Sequence, residues 1–167
     1  MIRFAALEDL PLLPAIEAAA GTRFVGTSAV ADADLPSISL AAFAAGLDGG
    51  SLWIAANASN QPVGFLLAEA RPPWLHLREL DVHPDHNGHG HGRALIATAA
   101  AAARQLDCDQ LSLTTFRDIP WNAPWYARQG FVELAGADLP DWLATTLAHE
   151  AALGLDPANR CAMVKPL

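Results

Sequence analysis

The chain has 167 residues, a formal net charge of −8 and a sequence pI near 5.0. That length is typical of one domain with its own hydrophobic core, so we expect a single domain over residues 1–167. Nucleic acid is a poor partner for so acidic a chain, because its binding depends on clustered Lys and Arg. No segment approaches the ~20 apolar residues of a membrane span, and residues 1–5 lack the features of a secretory signal, which predicts a cytoplasmic protein that binds no membrane.

The first 50 residues predict a short strand followed by two helices. Residues 2–5 alternate as a strand does, and residues 7–20 have helical apolar spacing, with Pro14 expected to kink or split the helix. Residues 22–36 mix Gly, Ser, Asp and Pro without a period, which indicates a loop. A short helix is expected over residues 37–47, closed by a pair of glycines.

The middle of the chain predicts a hairpin, a third strand, a long helix and a fourth strand. Residues 52–56 and 63–68 are apolar runs on either side of a turn composition, as in an antiparallel hairpin. Residues 74–82 predict the next strand, and residues 94–106 are almost all strong helix formers. Residues 110–115 alternate as a strand again.

The last third of the chain completes a mixed fold. It predicts a short helix within residues 120–129, strands at residues 131–134 and 161–164, and a helix between them over residues 139–153. Strands that alternate with helices in this order indicate an α/β fold of the α+β type, with a mixed central sheet and helices on both faces.

Residues 81–93 carry the most informative pattern, Asp-Val-His-Pro-Asp-His-Asn-Gly-His-Gly-His-Gly-Arg, between a predicted strand and a predicted helix. Glycines at three alternate positions let the backbone pass close to a bound group. The first N–H groups of a helix have no partner inside it, and the helix dipole adds about half a positive charge there. This segment therefore predicts a phosphate site.

Spacing separates this loop from two other phosphate-binding loops. The dinucleotide fingerprint G-x-G-x-x-G, counted from Gly88, would need a glycine where Arg93 stands. The P-loop of nucleotide triphosphatases needs a lysine directly after its last glycine, and the only lysine of the chain is Lys165. Both matches fail.

Two segments together resemble the GNAT superfamily of N-acetyltransferases. Residues 87–92, Asn-Gly-His-Gly-His-Gly, are similar to its [QR]-x-x-G-x-[GA] motif, with Asn87 in place of Gln or Arg. Residues 121–131, Trp-Asn-Ala-Pro-Trp-Tyr-Ala-Arg-Gln-Gly-Phe, are similar to the later Asn, Tyr and Gly-Phe segment of that superfamily. Because the two segments are independent and lie at about the expected separation, the chain is identified as a member.

The resemblance covers nearly the whole chain and implies a more specific architecture. It implies a mostly antiparallel central sheet in which two parallel strands, one ending at Val82 and one over residues 111–115, splay apart as a V. It also implies that acetyl-CoA, the acyl-donor co-substrate, lies in that opening. No metal is expected.

The same resemblance assigns the residues that contact acetyl-CoA. The glycine loop would hold the pyrophosphate, the strand before it would pair with the pantetheine, and an asparagine downstream would bond one of the two. These residues are Leu80, Val82, Asn87, Gly88, His89, Gly90, His91, Gly92, Arg93 and Asn122. Capping of a short helix is the alternative role for Asn122.

Catalysis implies an acid and a base. Tyr126 resembles the family tyrosine that protonates the departing thiolate. Glu79 and Asp81 alternate on one strand, so their carboxylates point to one face, where many family members place the base. We expect Glu79 to be the base. The alternatives are His76, Asp118 and Glu133.

Four histidines crowd the loop, at positions 83, 86, 89 and 91. Imidazole is the commonest metal ligand in proteins, so a metal-binding loop is one interpretation. The other is that His89 and His91 flank the phosphates beside Arg93. In that case the affinity for CoA is expected to weaken as pH rises through the histidine range.

The function that the resemblance implies is acetyl transfer from acetyl-CoA to a primary amine of a small molecule or peptide, by direct attack of the amine on the thioester. Two alternatives of other classes stay open, a non-catalytic acyl-CoA-binding sensor and a histidine-loop metal-binding protein. Homodimers are common in the family, and the sequence identifies no interface.

Overall fold

The computed structural model of the chain describes residues 1–29 and 36–167. These residues divide into two compact units. The first contains Met1–Arg23, Ser37–Leu111 and Leu167, and the second contains Phe24–Pro36 and Ser112–Pro166. No helix in the described part of the chain is both long enough and apolar enough to cross a membrane.

The first unit combines four strands with three α-helices. These elements are β1 (Ile2–Phe4), α1 (Leu13–Gly21), α2 (Leu40–Asp48), β2 (Leu52–Ala56), β3 (Pro62–Arg71), β4 (Trp74–Val82) and α3 (His91–Ala103). The strands lie in sequence order, and each is antiparallel to the next. The predicted hairpin of β2 and β3 is therefore confirmed.

The pairing of β3 with β4 changes register at one point. Leu67 pairs with Glu79 and the next residue, Ala68, pairs with Leu77, so Arg78 is an extra residue in β4. This is the arrangement of a β-bulge. It places Glu79 and Asp81 on the face opposite to Leu77, although strict alternation would put all three on the same face.

The core of the first unit lies between this sheet and α1 and α2. Its buried members come from the segment between β1 and α1, from both helices, and from the facing sides of β2 and β3: Ala5, Leu10, Leu13, Ile16, Phe43, Leu52, Ile54, Ala56, Phe65 and Leu67. Phe43 of α2 meets Phe65 of β3 edge to face, with ring centroids 5.2 Å apart. α3 packs against β2 and β3. Ser39 accepts the Ala42 N–H and caps α2, which begins three residues later than predicted.

The α-helices of the first unit differ from prediction mainly at their ends. Residues 7–20 do split, into a 3₁₀ helix (Leu7–Leu12) and α1, whose first turn contains Pro14. α3 begins at His91 rather than at residue 94, because Gly90 adopts a left-handed conformation directly before it. The predicted loop at residues 22–36 begins with a 3₁₀ turn (Thr22–Phe24), and its residues 30–35 lie outside the described residues.

The second unit contains most of β5 (Gln110–Phe116), together with α4 (Ala123–Arg128), β6 (Val132–Leu134), α5 (Asp141–Ala152) and β7 (Arg160–Pro166). Its strand order is β5, β7, β6, and Val132 of β6 pairs with Val164 of β7 in antiparallel register. These strands and helices match the predicted ones to within a few residues. The predicted fold class, a mixed and mostly antiparallel arrangement of strands with helices, is confirmed.

Candidate active site

The segment between β4 and α3 has the open backbone that a phosphate loop needs. After a 3₁₀ turn (Pro84–His86), Gly88 has a φ of 78° and Gly90 a φ of 81°. Residues other than glycine rarely adopt this left-handed region. At neither glycine does a neighbouring atom lie within 4 Å of the place where a Cβ would be. A bound group can therefore approach the main chain at both positions.

The start of α3 presents backbone donors to the same space. Gly90 is the residue before the helix, and no side chain caps the helix there. The first internal bond runs from the Ala94 N–H to the Gly90 carbonyl at 3.0 Å, so His91, Gly92 and Arg93 lie in the turn whose N–H groups have no partner within the helix. Arg93 is exposed. This arrangement fits a pyrophosphate.

The four histidines of the loop lie near one another. The ring centroids of His83 and His86 are 6.2 Å apart, those of His86 and His91 are 6.4 Å apart, and those of His89 and His91 are 6.3 Å apart. Desolvation lowers the pKa of His91, and the charges of the N-terminal amine, His86 and His89 lower it further. Within residues 1–29 and 36–167, no three His, Cys, Asp or Glu side chains are arranged to hold a metal ion.

Two carboxylates of one face of β4, Glu79 and Asp81, are joined by Glu17 of α1 in what we call the carboxylate cluster, because the charges of Glu79 and Glu17 both act on Asp81. The β-bulge turns Glu79 and Asp81 to this face, and α1, which packs against β4, brings Glu17 to them. The Glu17 carboxylate accepts the backbone N–H of Ile38 at 2.8 Å. Desolvation raises the pKa of Glu17, and the Ile38 bond partly offsets this.

Asp81 has a strongly perturbed carboxyl group. Although the residue as a whole is half-buried, its carboxyl group is withdrawn from water. Desolvation, followed by the charges of Glu79 and Glu17, raises the pKa of Asp81 well above its ordinary value. A carboxylate in such surroundings accepts a proton more readily than one in water.

Glu17 was not among the sequence candidates. It belongs to no motif and lies about 60 residues before its partners. The available signal was a single acidic residue inside the otherwise apolar helix Leu-Pro-Ala-Ile-Glu-Ala-Ala-Ala-Gly. Such a residue is usually solvent-exposed, and only the packing of α1 on β4 distinguishes this one.

The other candidate bases lie in different surroundings from the carboxylate cluster. His76 is buried, and desolvation followed by the charges of Arg71 and Arg78 lowers its pKa to about 4. Asp118 accepts a bond from the Ser28 hydroxyl at 2.8 Å.

Glu133, the remaining candidate, forms an ion pair with Arg117 at 2.8 Å. It belongs to the second unit, as does Asp118.

The second unit holds the candidate acid. Tyr126 lies on α4 and is buried, and its ring meets the rings of Trp125 and Phe131 at centroid distances of 5.0 Å and 5.6 Å. Asn122 occupies the position before α4, yet its side chain makes no capping bond, and its Oδ1 is buried without a hydrogen-bond partner. The capping role for the Asn122 side chain is therefore wrong, and its oxygen is left as an acceptor.

The first unit thus brings Glu79, Leu80, Asp81, Val82 and the loop of residues 87–93 onto one continuous segment, with Glu17 added from α1. The second unit places Asn122 and Tyr126 at the two ends of one short helix turn. The individual roles assigned to these residues stay predictions.

Comparison with protein families gives a match to the acetyltransferase (GNAT) family over residues 16–131. Among curated proteins, the peptidyl-lysine N-acetyltransferase YjaB of Escherichia coli (strain K12) is 40% identical over 55 residues, which are 33% of this chain and 35% of that protein. The chain is thus matched to only about a third of the length of this relative.

Several solved structures resemble the whole chain, and two of them were solved with CoA bound. Rv2747 from Mycobacterium tuberculosis, solved in complex with CoA and NLQ, is 19% identical and superimposes with a TM-score of 0.70, covering 100% of this chain and 99% of that one. N-acetylglutamate synthase from Neisseria gonorrhoeae, solved with CoA and N-acetyl-glutamate, is 18% identical with a TM-score of 0.74, covering 100% of this chain and 35% of that one. At these identities the likeness concerns the fold.

Proposed function

This chain belongs to the acetyltransferase (GNAT) family, and from that premise we propose that it transfers the acetyl group of acetyl-CoA to a primary amine. The observation that carries the proposal is the strand, open glycine loop and uncapped helix start formed by residues 74–103, which lie within the family match. The proposal treats residues 1–167 as one acetyltransferase domain that acts in the cytoplasm. The acceptor class is a small molecule or a peptide, and the peptidyl-lysine activity named for the curated relative supports the second.

Acetyl-CoA is proposed to bind along the end of β4 and the start of α3. The main-chain groups of Leu80 and Val82 would pair with the pantetheine as a neighbouring strand does. The pyrophosphate would accept bonds from the N–H groups of residues 87–93 and a charge-assisted bond from Arg93. The unpartnered oxygen of Asn122 supports its proposed role as an acceptor for an N–H of the same molecule.

The proposed reaction is direct transfer without a covalent enzyme intermediate. The acceptor loses a proton from its ammonium form, and the neutral amine attacks the thioester carbonyl. A C–N bond forms and the C–S bond breaks, and the CoA thiolate takes a proton from the hydroxyl of Tyr126. The new amide nitrogen releases its second proton, which restores the Tyr126 hydroxyl directly or through water. The products are an amide and CoA.

The carboxylate cluster is the proposed destination of the amine proton. Glu79 is proposed as the base, and Asp81 lies on the same face, where the charge of Glu79 raises the pKa of Asp81. Glu17 supports this assignment because its negative charge favours proton uptake by Asp81. An ammonium group is also attracted to such a cluster before it loses its proton.

The test begins with binding. We expect acetyl-CoA and CoA to raise the melting temperature and NADH to leave it unchanged, because a ligand that binds only the folded state stabilises it. Arg93→Ala should weaken CoA binding by about tenfold, as expected for loss of a charge-assisted bond. Arg104→Ala, a matched loss of an exposed arginine just beyond the other end of α3, should not.

Catalysis is then measured as thiol release from acetyl-CoA with two probe acceptors, a lysine-containing peptide with a blocked N-terminus and an aliphatic diamine. Tyr126→Phe should retain CoA binding and lose turnover. Unchanged turnover in Tyr126→Phe would remove that residue from the mechanism. CoA binding without thiol release from any amine would favour the non-catalytic sensor.

A further inference from the structure

The only lysine of the chain is bonded to the end of the helix that carries the proposed acid. Lys165 lies on β7 in the second unit, and its Nζ donates to the backbone carbonyl of Gln129 at 2.9 Å. Among the described residues, no carboxylate lies within ion-pair distance of this ammonium group. Its observed partner is therefore a main-chain oxygen.

Gln129 is the residue at which α4 ends, and most carbonyls of the last turn are already occupied. The Tyr126 carbonyl accepts the N–H groups of Gln129 at 2.8 Å and Phe131 at 3.2 Å, and the Ala127 carbonyl accepts the Gly130 N–H at 3.0 Å. The Gln129 carbonyl receives the lysine instead. A cation at a helix C-terminus is favourable because the exposed carbonyls carry partial negative charge.

The aliphatic part of the Lys165 side chain also lies against the turn that follows α4. Gly130 has a φ of 90°, and a Cβ placed on it would lie 3.6 Å from Cε of Lys165, so the stem runs directly beside this turn. The antiparallel pairing of Val132 with Val164 puts Lys165 next to Phe131. The Phe131 ring in turn contacts the ring of Tyr126.

We propose that Lys165 is a positioning residue for Tyr126: by holding the end of α4 and the turn at Gly130, it keeps the tyrosine hydroxyl in the orientation needed for proton donation. This inference rests on the proposed role of Tyr126 as the acid. A lysine suits the task because three donors on a flexible stem reach a carbonyl from a neighbouring strand. A neutral apolar residue would keep the packing and lose the bond.

The first experiment separates the bond from the packing. Lys165→Met keeps most of the stem without the donor, and Lys165→Arg keeps a cationic donor. We expect Lys165→Met to lower kcat for thiol release with the two probe amines by about tenfold, since a small misplacement of a catalytic group is costly. The KM for acetyl-CoA should be unchanged, and Lys165→Arg should restore most of kcat. Arg128→Met removes an exposed cation from the same helix and should leave kcat unaltered.

The second experiment asks whether Lys165 acts through Tyr126. In the Tyr126→Phe background, Lys165→Met should have no further effect on kcat, because residues that act as one unit are not additive. The proposal is overturned if the two effects add, or if Lys165→Met alone leaves kcat intact.

A third readout does not depend on an acceptor. Tyr126 is the only tyrosine of the chain, so ring-¹³C tyrosine labelling gives a single residue to observe by NMR. Its ring resonances should move in Lys165→Met and return in Lys165→Arg, while Arg128→Met leaves them in place. Identical spectra for wild type and Lys165→Met would show that Lys165 does not position Tyr126. If the wild type transfers acetyl to no amine, the proposed function fails, and this spectrum still decides whether Lys165 sets the position of the tyrosine.

Discussion

Asp9 and Asp81 are both withdrawn from water in the first unit, yet their affinities for a proton change in opposite directions. Asp9 is 2% exposed, and its carboxylate accepts two bonds from the Arg3 guanidinium, at 2.6 Å and 2.9 Å, and one from the Ala6 N–H at 2.8 Å. Burial alone would raise the pKa of Asp9, but these bonds lower it below its ordinary value. Asp81 faces two further carboxylates, and its pKa is raised.

The difference shows how one fold uses two similar side chains for different purposes. A buried carboxylate with a complete set of donors is held in its charged form and ties the turn after β1 to the strand. A buried carboxylate among like charges costs stability, and proteins retain such groups mainly at functional sites. The comparison therefore favours the end of β4, rather than the Asp9 turn, as the place where protons are transferred.

The largest effect should come from breaking the satisfied pair. Arg3→Met leaves Asp9 buried with one bond and no cation, and we expect a loss of about 3 kcal/mol in the free energy of unfolding, measured by urea denaturation. Arg71→Met removes the exposed ion pair with Glu69, whose side chains are 48% and 41% exposed, and should cost less than about 1 kcal/mol. Equal losses in the two variants would show that the Arg3–Asp9 pair stabilises the fold no more than an exposed ion pair does.

The second prediction concerns Asp81, where removal of the charge should have opposite effects on activity and stability. Asp81→Asn is expected to lower kcat/KM for acetyl transfer by about 100-fold if the cluster accepts the proton.

Asp81→Asn should also change how stability depends on pH. Asp81 binds its proton more tightly when folded, so its contribution is fully present below pH 3.8 and is lost as pH rises through the folded-state pKa. The melting temperature of the variant relative to the wild type should therefore rise as pH increases from 3.8 through the folded-state pKa of Asp81, and the difference should stay constant at higher pH. Asp85→Asn, whose side chain is 84% exposed, is the control, and it should track the wild type.

A smaller effect is expected for Glu17. Glu17→Gln keeps an oxygen that can accept the Ile38 N–H but removes the charge beside Asp81. The acidic limb of the kcat/KM profile should move to lower pH, because less repulsion lets the cluster lose its proton earlier. The exposed residue Glu8 provides the matched variant, Glu8→Gln, in which the limb should stay in place. A profile that does not move in Glu17→Gln would remove this residue from the cluster.

The smallest effect is expected at the histidine loop, residues 83–91, on the affinity for CoA. CoA affinity should weaken between about pH 5.5 and about pH 8.5, because imidazolium binds a pyrophosphate better than imidazole does. His91→Gln should flatten only the acidic end of that curve, since the pKa of His91 is already lowered. A flat curve in the wild type would show that the loop binds through its backbone and Arg93 alone.

The order of elements and the glycine loop were predictable from sequence because both depend on local patterns. Apolar spacing identified every strand, and the glycines at 88 and 90 indeed adopt the left-handed backbone that a close approach requires. Helix ends were less predictable, as the early start of α3 at His91 shows. Sequence reasoning missed Glu17 and Lys165, whose proposed roles depend on contacts with segments distant in the chain, which no local pattern reports.

The extra residue at Arg78 has a consequence for how the chain tolerates insertions and deletions. Along a strand, successive side chains alternate between the two faces, and the bulge reverses this alternation for every residue that follows it. Leu75 and Leu77, before the bulge, point to one side of the sheet, whereas Glu79 and Asp81, after it, point to the other. In a regular strand these four side chains would all lie on one face. A relative that has the same acidic residues but no bulge in β4 would therefore lack the carboxylate cluster. A sequence alignment of this strand must match its length as well as its residue types.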